Sequence, residues 1–437
     1  MSSTMVGILG ILIMLAIFLT RMSVAYVMAM VGFVGFCVLI SVEGGLNLLS
    51  RNIYGSFSSY DLTTIPLFIL MGQIAFNSGI SKRLYNTAYK FLGSIRGGLA
   101  MATVSSCTAF GAVCGSSPAT ASIMTTVGMP EMKRYNYTDD LAAGSVASGG
   151  GLGMIMPPSV VLIIYGIMTE QSIGALFVSG ILPALLLTVL FIICIYITCT
   201  ISPEKGPAGE KFTFAEKIKS LTGLTDTLIV FVISIGGLFL GFFTPTESAA
   251  VGVAGVLIIS VVRRQLSWKA FVKALYETLS TTSMVMFLIA GAVVFSKFLA
   301  VTRIPFDIAT WVGGLDLPPA IVIGIIIFIY FLGGCFMDSL GLIMLTIPIF
   351  FPVITSLGYD PIWFGIIIVL VAEMGVITPP VGLNVYVVYG VSKGVVGEIQ
   401  LETIFKGIFP FLISVVIGII ILIIFPQITL ILPNLMY

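Results

Sequence analysis

Ten stretches of this chain are apolar over lengths that can cross a bilayer. They fall near 4–20, 24–42, 63–79, 140–165, 174–200, 224–243, 246–262, 278–297, 361–391 and 407–431. A crossing helix needs about 20 such residues, and longer stretches tilt or break. Lipid offers the backbone no hydrogen-bond partner, so segments of this kind are built as helices. Charge agrees, because only 9% of the 437 residues are charged, against roughly 25% in soluble domains. A net charge of +1 leaves no basic field for phosphate backbones. These features exclude a soluble enzyme, a disordered chain and a nucleic-acid binder, and they predict an all-α polytopic membrane protein. Residues 4–20 follow no Lys or Arg and lack a convincing cleavage site, so they read as a retained first span.

Missing residue types narrow the chemistry. There is no histidine, which removes His-based triads, HExxH metal sites and His proton relays. The six cysteines lie in apolar stretches without CxxC spacing and read as small hydrophobes. No P-loop string occurs. An intramembrane aspartyl enzyme would need two facing carboxylates, and Asp338 with Glu373 is the one plausible pair. The chain is therefore not expected to be an enzyme, and no organic cofactor is expected.

Two further apolar segments, 98–130 and 319–355, are interrupted near their middles by Gly, Ser, Cys or Asp. Each is expected to form a re-entrant helical hairpin. That topology places 17 of the 20 Lys and Arg, Arg21 among them, in one set of loops. Arg51, Lys297 and Arg303 fall in the other. The asymmetry satisfies the positive-inside rule and puts both termini on the periplasmic side. Residues 81–93 and 301–311 are expected to be interfacial helices, each preceding a hairpin.

The chain also repeats itself at an offset of 222 residues. Gly111 falls on Gly333, Ser117 on Ser339, Pro130 on Pro352, Tyr137 on Tyr359 and Gly153 on Gly375. The string Gly153-Met-Ile-Met-Pro-Pro158 falls on Gly375-Val-Ile-Thr-Pro-Pro380. The expected organisation is a first repeat over 1–202, a cytoplasmic linker over 203–222 and a second repeat over 223–437. Each repeat holds three spans, an arm helix, a hairpin, a broken span and a last span. Five crossings is an odd number, so the second copy is inverted, as in many secondary transporters.

The chemistry should lie at the breaks and the hairpin tips. Paired prolines remove two N–H donors and clash with the preceding turn, so spans 140–165 and 361–391 should each split into two half-helices. Freed carbonyls at that depth suit a bound cation. The tips place Ser116, Ser117, Asp338 and Ser339 beside glycines, where they can offer oxygens to a cation or a substrate, or cap a helix. Asp338 can ligate a cation, carry a proton or cap a half-helix. Glu373, beside the second break, can neutralise ions or hold the broken helix. Glu247 suits a helix N-terminus. Neither tip and neither break carries Lys or Arg, which favours an anionic substrate met by half-helix N-termini and cations.

The strings Gly115-Ser-Ser-Pro-Ala-Thr-Ala121, Gly153-Met-Ile-Met-Pro-Pro158, Phe243-Thr-Pro-Thr-Glu-Ser-Ala249 and Gly375-Val-Ile-Thr-Pro-Pro380 resemble the large membrane subunit of TRAP (tripartite ATP-independent periplasmic) transporters. The span order resembles the ion-transporter superfamily fold, with about ten transmembrane helices and two hairpins. The resemblance covers essentially the whole chain. It implies sodium-driven import of an organic acid, a sialic acid or a C4-dicarboxylate, across the bacterial inner membrane by an elevator motion. It implies a periplasmic substrate-binding protein and a small four-span membrane subunit as partners. It implies at least two coupling sodium ions. One is expected near Ser116, Ser117, Gly153, Met156 and Pro158, and the other near Asp338, Ser339, Gly375, Thr378 and Pro380. Substrate should lie between the tips, near Ser116, Ser117, Asp338 and Ser339. Arg51, Glu170, Glu247 and Arg303 are expected on the docking face. The alternatives are a stand-alone sodium–carboxylate carrier of the same fold, or an ion channel.

Overall fold

A computed structural model describes residues 2–18, 20, 22–314 and 318–436. Arg21, counted above among the loop cations, lies outside the described residues. The elements run α1 Ser3–Phe18, α2 Val24–Leu39, α3 Val42–Ser58, α4 Thr64–Asn77, α5 Ile80–Leu92, α6 Gly98–Cys114, α7 Ser117–Arg134, α8 Asp139–Ile155, α9 Val160–Thr169 and α10 Ile173–Ile201. After a linker come α11 Phe214–Ser220, α12 Thr222–Phe231, α13 Gly237–Phe239, α14 Pro245–Val262, α15 Trp268–Thr302, α16 Ile304–Gly313, α17 Pro319–Phe336, α18 Ser339–Ser356, α19 Pro361–Ile377, α20 Leu383–Val395, α21 Leu401–Ile424 and α22 Gln427–Leu430. The described residues form an all-helical fold without strands.

The helix bounds follow the offset seen in the sequence. The pair α18 and α19 starts and ends 222 residues after α7 and α8. Packing between the halves is reciprocal. Helix α2 packs on α15, while α14, at the position matching α2, packs on α4. Helix α7 packs on α20, and α18 packs on α9. Each hairpin's outer arm thus rests on the half-helix that follows the break of the other half.

Both hairpins fold back on themselves. In the first, a Cβ on Gly128 would meet Thr103 Oγ1 at 2.9 Å, and these residues lie about equally far from the tip. In the second, the Tyr330 and Phe350 rings are 5.9 Å apart. Helices α8 and α19 form the centre, with every side chain from Leu141 to Ile155 and from Trp363 to Ile377 buried. Apart from Glu373, these stretches are small or apolar on all faces, as a helix enclosed on every side requires.

Three details refine the expected layout. Arg51 was placed in a loop but lies within α3, which meets the following helical segment at a 56° bend. By length and composition alone, eight described helices qualify as spans, or nine if that bent pair counts as one. The expectation was ten, but α1, α2 and α19 are too short for that test, and both arms of the second hairpin pass it. The linker is not a free loop either. Gly97 N–H donates to Gly206 O and Gly209 N–H to Gly93 O, each at 2.8 Å. Lys205 Nζ meets Asp140 Oδ2 at 2.7 Å, and Tyr135 donates to Glu210 Oε1 at 2.8 Å. The linker straps the start of α6 to the α7–α8 turn.

The arm α5 is amphipathic. Ile80, Leu84, Tyr85 and Tyr89 are buried while Lys82 and Asn86 are exposed. Its Arg83 reaches Asp226 on α12 at 3.0 Å, and Asp226 also holds Arg263 at 2.7 Å. Thr87 donates to Ser220 O at 2.7 Å. This arm is fastened to the second half of the chain.

Candidate functional site

The first hairpin turns at Gly115, whose φ of +64° is a left-handed conformation that favours glycine. A Cβ there would run into the Pro158 carbonyl oxygen. Gly111 crosses α8 so closely that a Cβ would stand 2.7 Å from Gly153 Cα. A Cβ on Gly153 would stand 3.2 Å from Ser116 O and strike Thr120 Oγ1. Thr120 Oγ1 donates to Ser116 O at 2.8 Å. Ser116 O, Thr120 Oγ1, Gly153 and Pro158 O therefore converge where the tip meets the break. Prolines at 157 and 158 leave the Gly153 and Met154 carbonyls without the helical donor four residues on. Met156 closes α8 as its extended C-cap.

The second hairpin repeats this crossing. A Cβ on Gly334 would lie 3.0 Å from Gly375 Cα. Val381 N–H, just past the break, donates to Cys335 O at 3.3 Å. Asp338 caps α18, its Oδ2 accepting from Gly341 N–H at 3.0 Å. Thr378 N–H donates to Gly375 O at 2.9 Å, and Thr378 Oγ1 donates to Met374 O at 2.6 Å. The Ser339 hydroxyl is buried and has no partner among the described residues. The two breaks differ in exposure: Pro157 and Pro158 are buried, whereas Pro379 and Pro380 are exposed. The X–Pro bond between the paired prolines is cis in both.

Ser117 does not join the cluster at the first break. Its hydroxyl donates to Glu373 Oε1 at 2.8 Å and accepts from Asn384 Nδ2 at 2.7 Å. Asn384 Nδ2 also lies 3.1 Å from both Glu373 Oε1 and Ala147 O. One amide thus joins the first tip, α8, and both half-helices of the second broken span. Glu373 Oε2, Asn384 Oδ1 and Ser148 Oγ are buried without partners among the described residues. Ser148 and Glu373 line a cavity of about 10 Å³, room for one water. The positions matching Ser117, Glu373 and Asn384 at the 222-residue offset are Ser339, Gly151 and Leu162. Neither Gly151 nor Leu162 carries a polar side chain, so among the described residues the Asn–Ser–Glu node exists once.

Asn384 and Thr120 were missed in the sequence. A side-chain amide four residues past a paired-proline break, in an apolar helix, was a usable signal. Thr120 carried none beyond its place one turn after the tip.

The expected docking residues lie apart from this node. Glu247 is exposed and completes a capping box, its Oε2 accepting from Thr244 N–H at 2.8 Å. Glu170 is an exposed left-handed C-cap of α9. Arg303 stacks over Phe306 at 5.3 Å, lines a groove of about 810 Å³ between α15, α16 and α18, and has no ion-pair partner among the described residues.

Comparison with known proteins places this architecture. Residues 11–428 match the family described as "Tripartite ATP-independent periplasmic transporter, DctM component". The chain is 36% identical over 398 residues to the C4-dicarboxylate TRAP transporter large permease protein DctM of Pseudomonas aeruginosa, covering 91% of this chain and 92% of that one. It is 33% identical over 406 residues to the sialic acid TRAP transporter large permease protein SiaM of Vibrio cholerae, covering 92% and 93%. The crystal structure of the Alcanivorax borkumensis YdaH transporter superposes with a TM-score of 0.66 over 91% of this chain and 89% of that one, at 15% identity. That likeness shows a shared fold. With the family matched over nearly the whole length, the chain belongs to the DctM component of the tripartite ATP-independent periplasmic transporters, a multi-pass transport permease and not an enzyme.

Proposed function

We propose that this permease imports an organic acid by sodium symport, with at least two sodium ions per cycle and an elevator motion. The reading is carried by one observation: a hairpin tip meets a proline-broken span through a glycine–glycine crossing, and does so twice. The first sodium lies near Ser116, Gly153, Met156 and Pro158, with Thr120 added and Ser117 contributing through its backbone. The second lies near Asp338, Ser339, Gly375, Thr378 and Pro380. The acid binds between the tips, where Ser116, Ser117, Asp338 and Ser339 stand. Two sodium ions with a monoanion carry one net charge inward, which supplies about 2.3 kcal/mol per 100 mV.

The moving unit comprises the hairpins and broken spans. The scaffold is the part to which Arg83 ties the first arm. A periplasmic binding protein delivers the substrate to a face carrying Arg51, Glu170, Glu247 and Arg303, and a small four-span subunit braces the scaffold in the inner membrane. Both termini face the periplasm. The relatives named for C4-dicarboxylates and for sialic acid are nearly equal in identity, so both acids belong in the test.

That test is uptake of labelled succinate or sialic acid into proteoliposomes holding this chain with its small subunit. Uptake that requires both sodium and the cognate binding protein is expected. Uptake without the binding protein would mean a stand-alone carrier, and conductance without saturation would mean a channel.

A further inference from the structure

We infer that Asn384 is a positioning residue that makes the two proposed sodium sites bind cooperatively, because its side-chain amide joins the first hairpin tip to the helix end that forms the second site. The inference rests on the sodium reading above.

Ser117 adjoins Ser116, whose carbonyl oxygen points into the first break. Glu373 lies in the last turn of α19, two residues before Gly375. The chain of bonds Asn384–Ser117–Glu373 is buried throughout, with 0%, 2% and 6% exposure. A displacement of the tip when an ion draws on Ser116 O is passed through Ser117 to Glu373 and so to Gly375. Asn384 lies just past the same break, so both half-helices of the second site feel the tip. Buried hydrogen-bonded groups that pack in discrete arrangements carry this kind of coupling.

The route is unique among the described residues. The matched positions in the other half hold Gly151 and Leu162, and Ser339 Oγ has no partner among the described residues. Among them no second hydrogen-bonded route of this kind runs from the second tip to the first break. Coupling between the sites therefore runs through one node, in which the Asn384 amide holds Ser117 Oγ and Glu373 Oε1 in register, and leucine at 384 would copy what the other half already has.

The experiment titrates sodium chloride against choline chloride at constant ionic strength. It follows the thermal unfolding midpoint of the full-length chain, co-purified with its small subunit, for wild type, Asn384→Leu and Asn384→Ser. Wild type should respond with a Hill coefficient of about 2, falling to about 1 in either variant, with half-saturating sodium raised about fivefold or more. Either variant alone decides the matter if the other does not fold. As a second measurement, membranes holding either wild type or Asn384→Ser are titrated with sodium and followed by protease protection of the hairpins, where the variant should again lose the cooperative response. A wild-type Hill coefficient retained in a folded variant would overturn the coupling and leave the sodium sites standing. A wild-type chain indifferent to sodium would overturn the sodium reading itself, and the coupling with it.

Discussion

Asn384 Nδ2 donates to Ser117 Oγ at 2.7 Å, across 267 residues of sequence and between opposite halves of the chain. The hydroxyl passes the bond on to Glu373 Oε1. The side chain of a tip serine that reads as a ligand of the first break is thereby tied to the second. The hydroxyl donates once and accepts once, which leaves one lone pair on its oxygen.

The glycine crossings set how closely tip and break can approach. Gly111→Ala places a methyl 2.7 Å from Gly153 Cα, where backbone must give way. A loss of about 1–3 kcal/mol is expected, typical of overpacking. Gly390→Ala is the control, since nothing lies within 4 Å of a Cβ there; it should be neutral or stabilise by up to about 1 kcal/mol. Unfolding midpoints in detergent compare the two. Equal midpoints would mean the crossing relaxes without cost.

Asp338 offers two roles that one pair of variants separates. Asp338→Ala removes a carboxylate and a cap, and should lower stability by about 1 kcal/mol along with sodium-driven uptake. Asp338→Ser keeps a capping oxygen. It should restore the unfolding midpoint while uptake stays low. Full recovery of uptake in the serine variant would reduce Asp338 to a cap.

Asp226 is 5% exposed at its side chain and holds two guanidinium groups. Arg83 Nη1 donates in addition to Gln265. Asp226→Ala leaves two partly exposed cations facing each other and should cost about 1.5–3 kcal/mol, read as a drop in the unfolding midpoint. An unchanged midpoint would mean that the Thr87–Ser220 bond holds the arm without it.

Glu247 caps α14 and is proposed to meet the binding protein. Glu247→Gln preserves a capping box and removes the charge. Stability should stay within about 0.5 kcal/mol of wild type, while affinity for the binding protein falls. Thr244→Ala should do the reverse, costing about 1 kcal/mol of stability with docking intact. Interferometry on the immobilised permease reads affinity. If Glu247→Gln binds like wild type, Glu247 is a cap alone.

Much of this molecule was legible in the chain. Apolar run length dictates helices, because lipid leaves the backbone no other partner. Paired prolines dictate where two of those helices break, through donors the residues do not possess. The 222-residue offset located both breaks and both tips, and the helix bounds of α7, α8, α18 and α19 follow it. Pattern could not tell which hydroxyl faces which break. Ser116 and Ser117 are neighbours of the same type, and a turn of one residue sends one to its own break and the other to Glu373. That choice depends on α7 packing against α20, a contact between distant parts of the chain. Nor could an offset that equates Ser117 with Ser339 reveal that only one of them finds a partner. Local residue chemistry determined the helices, the breaks and the likeness of the halves. Tertiary packing decided their difference, because a buried hydroxyl bonds to whatever the opposing helices present: Ser117 meets Asn384 and Glu373, while Ser339 meets no partner among the described residues.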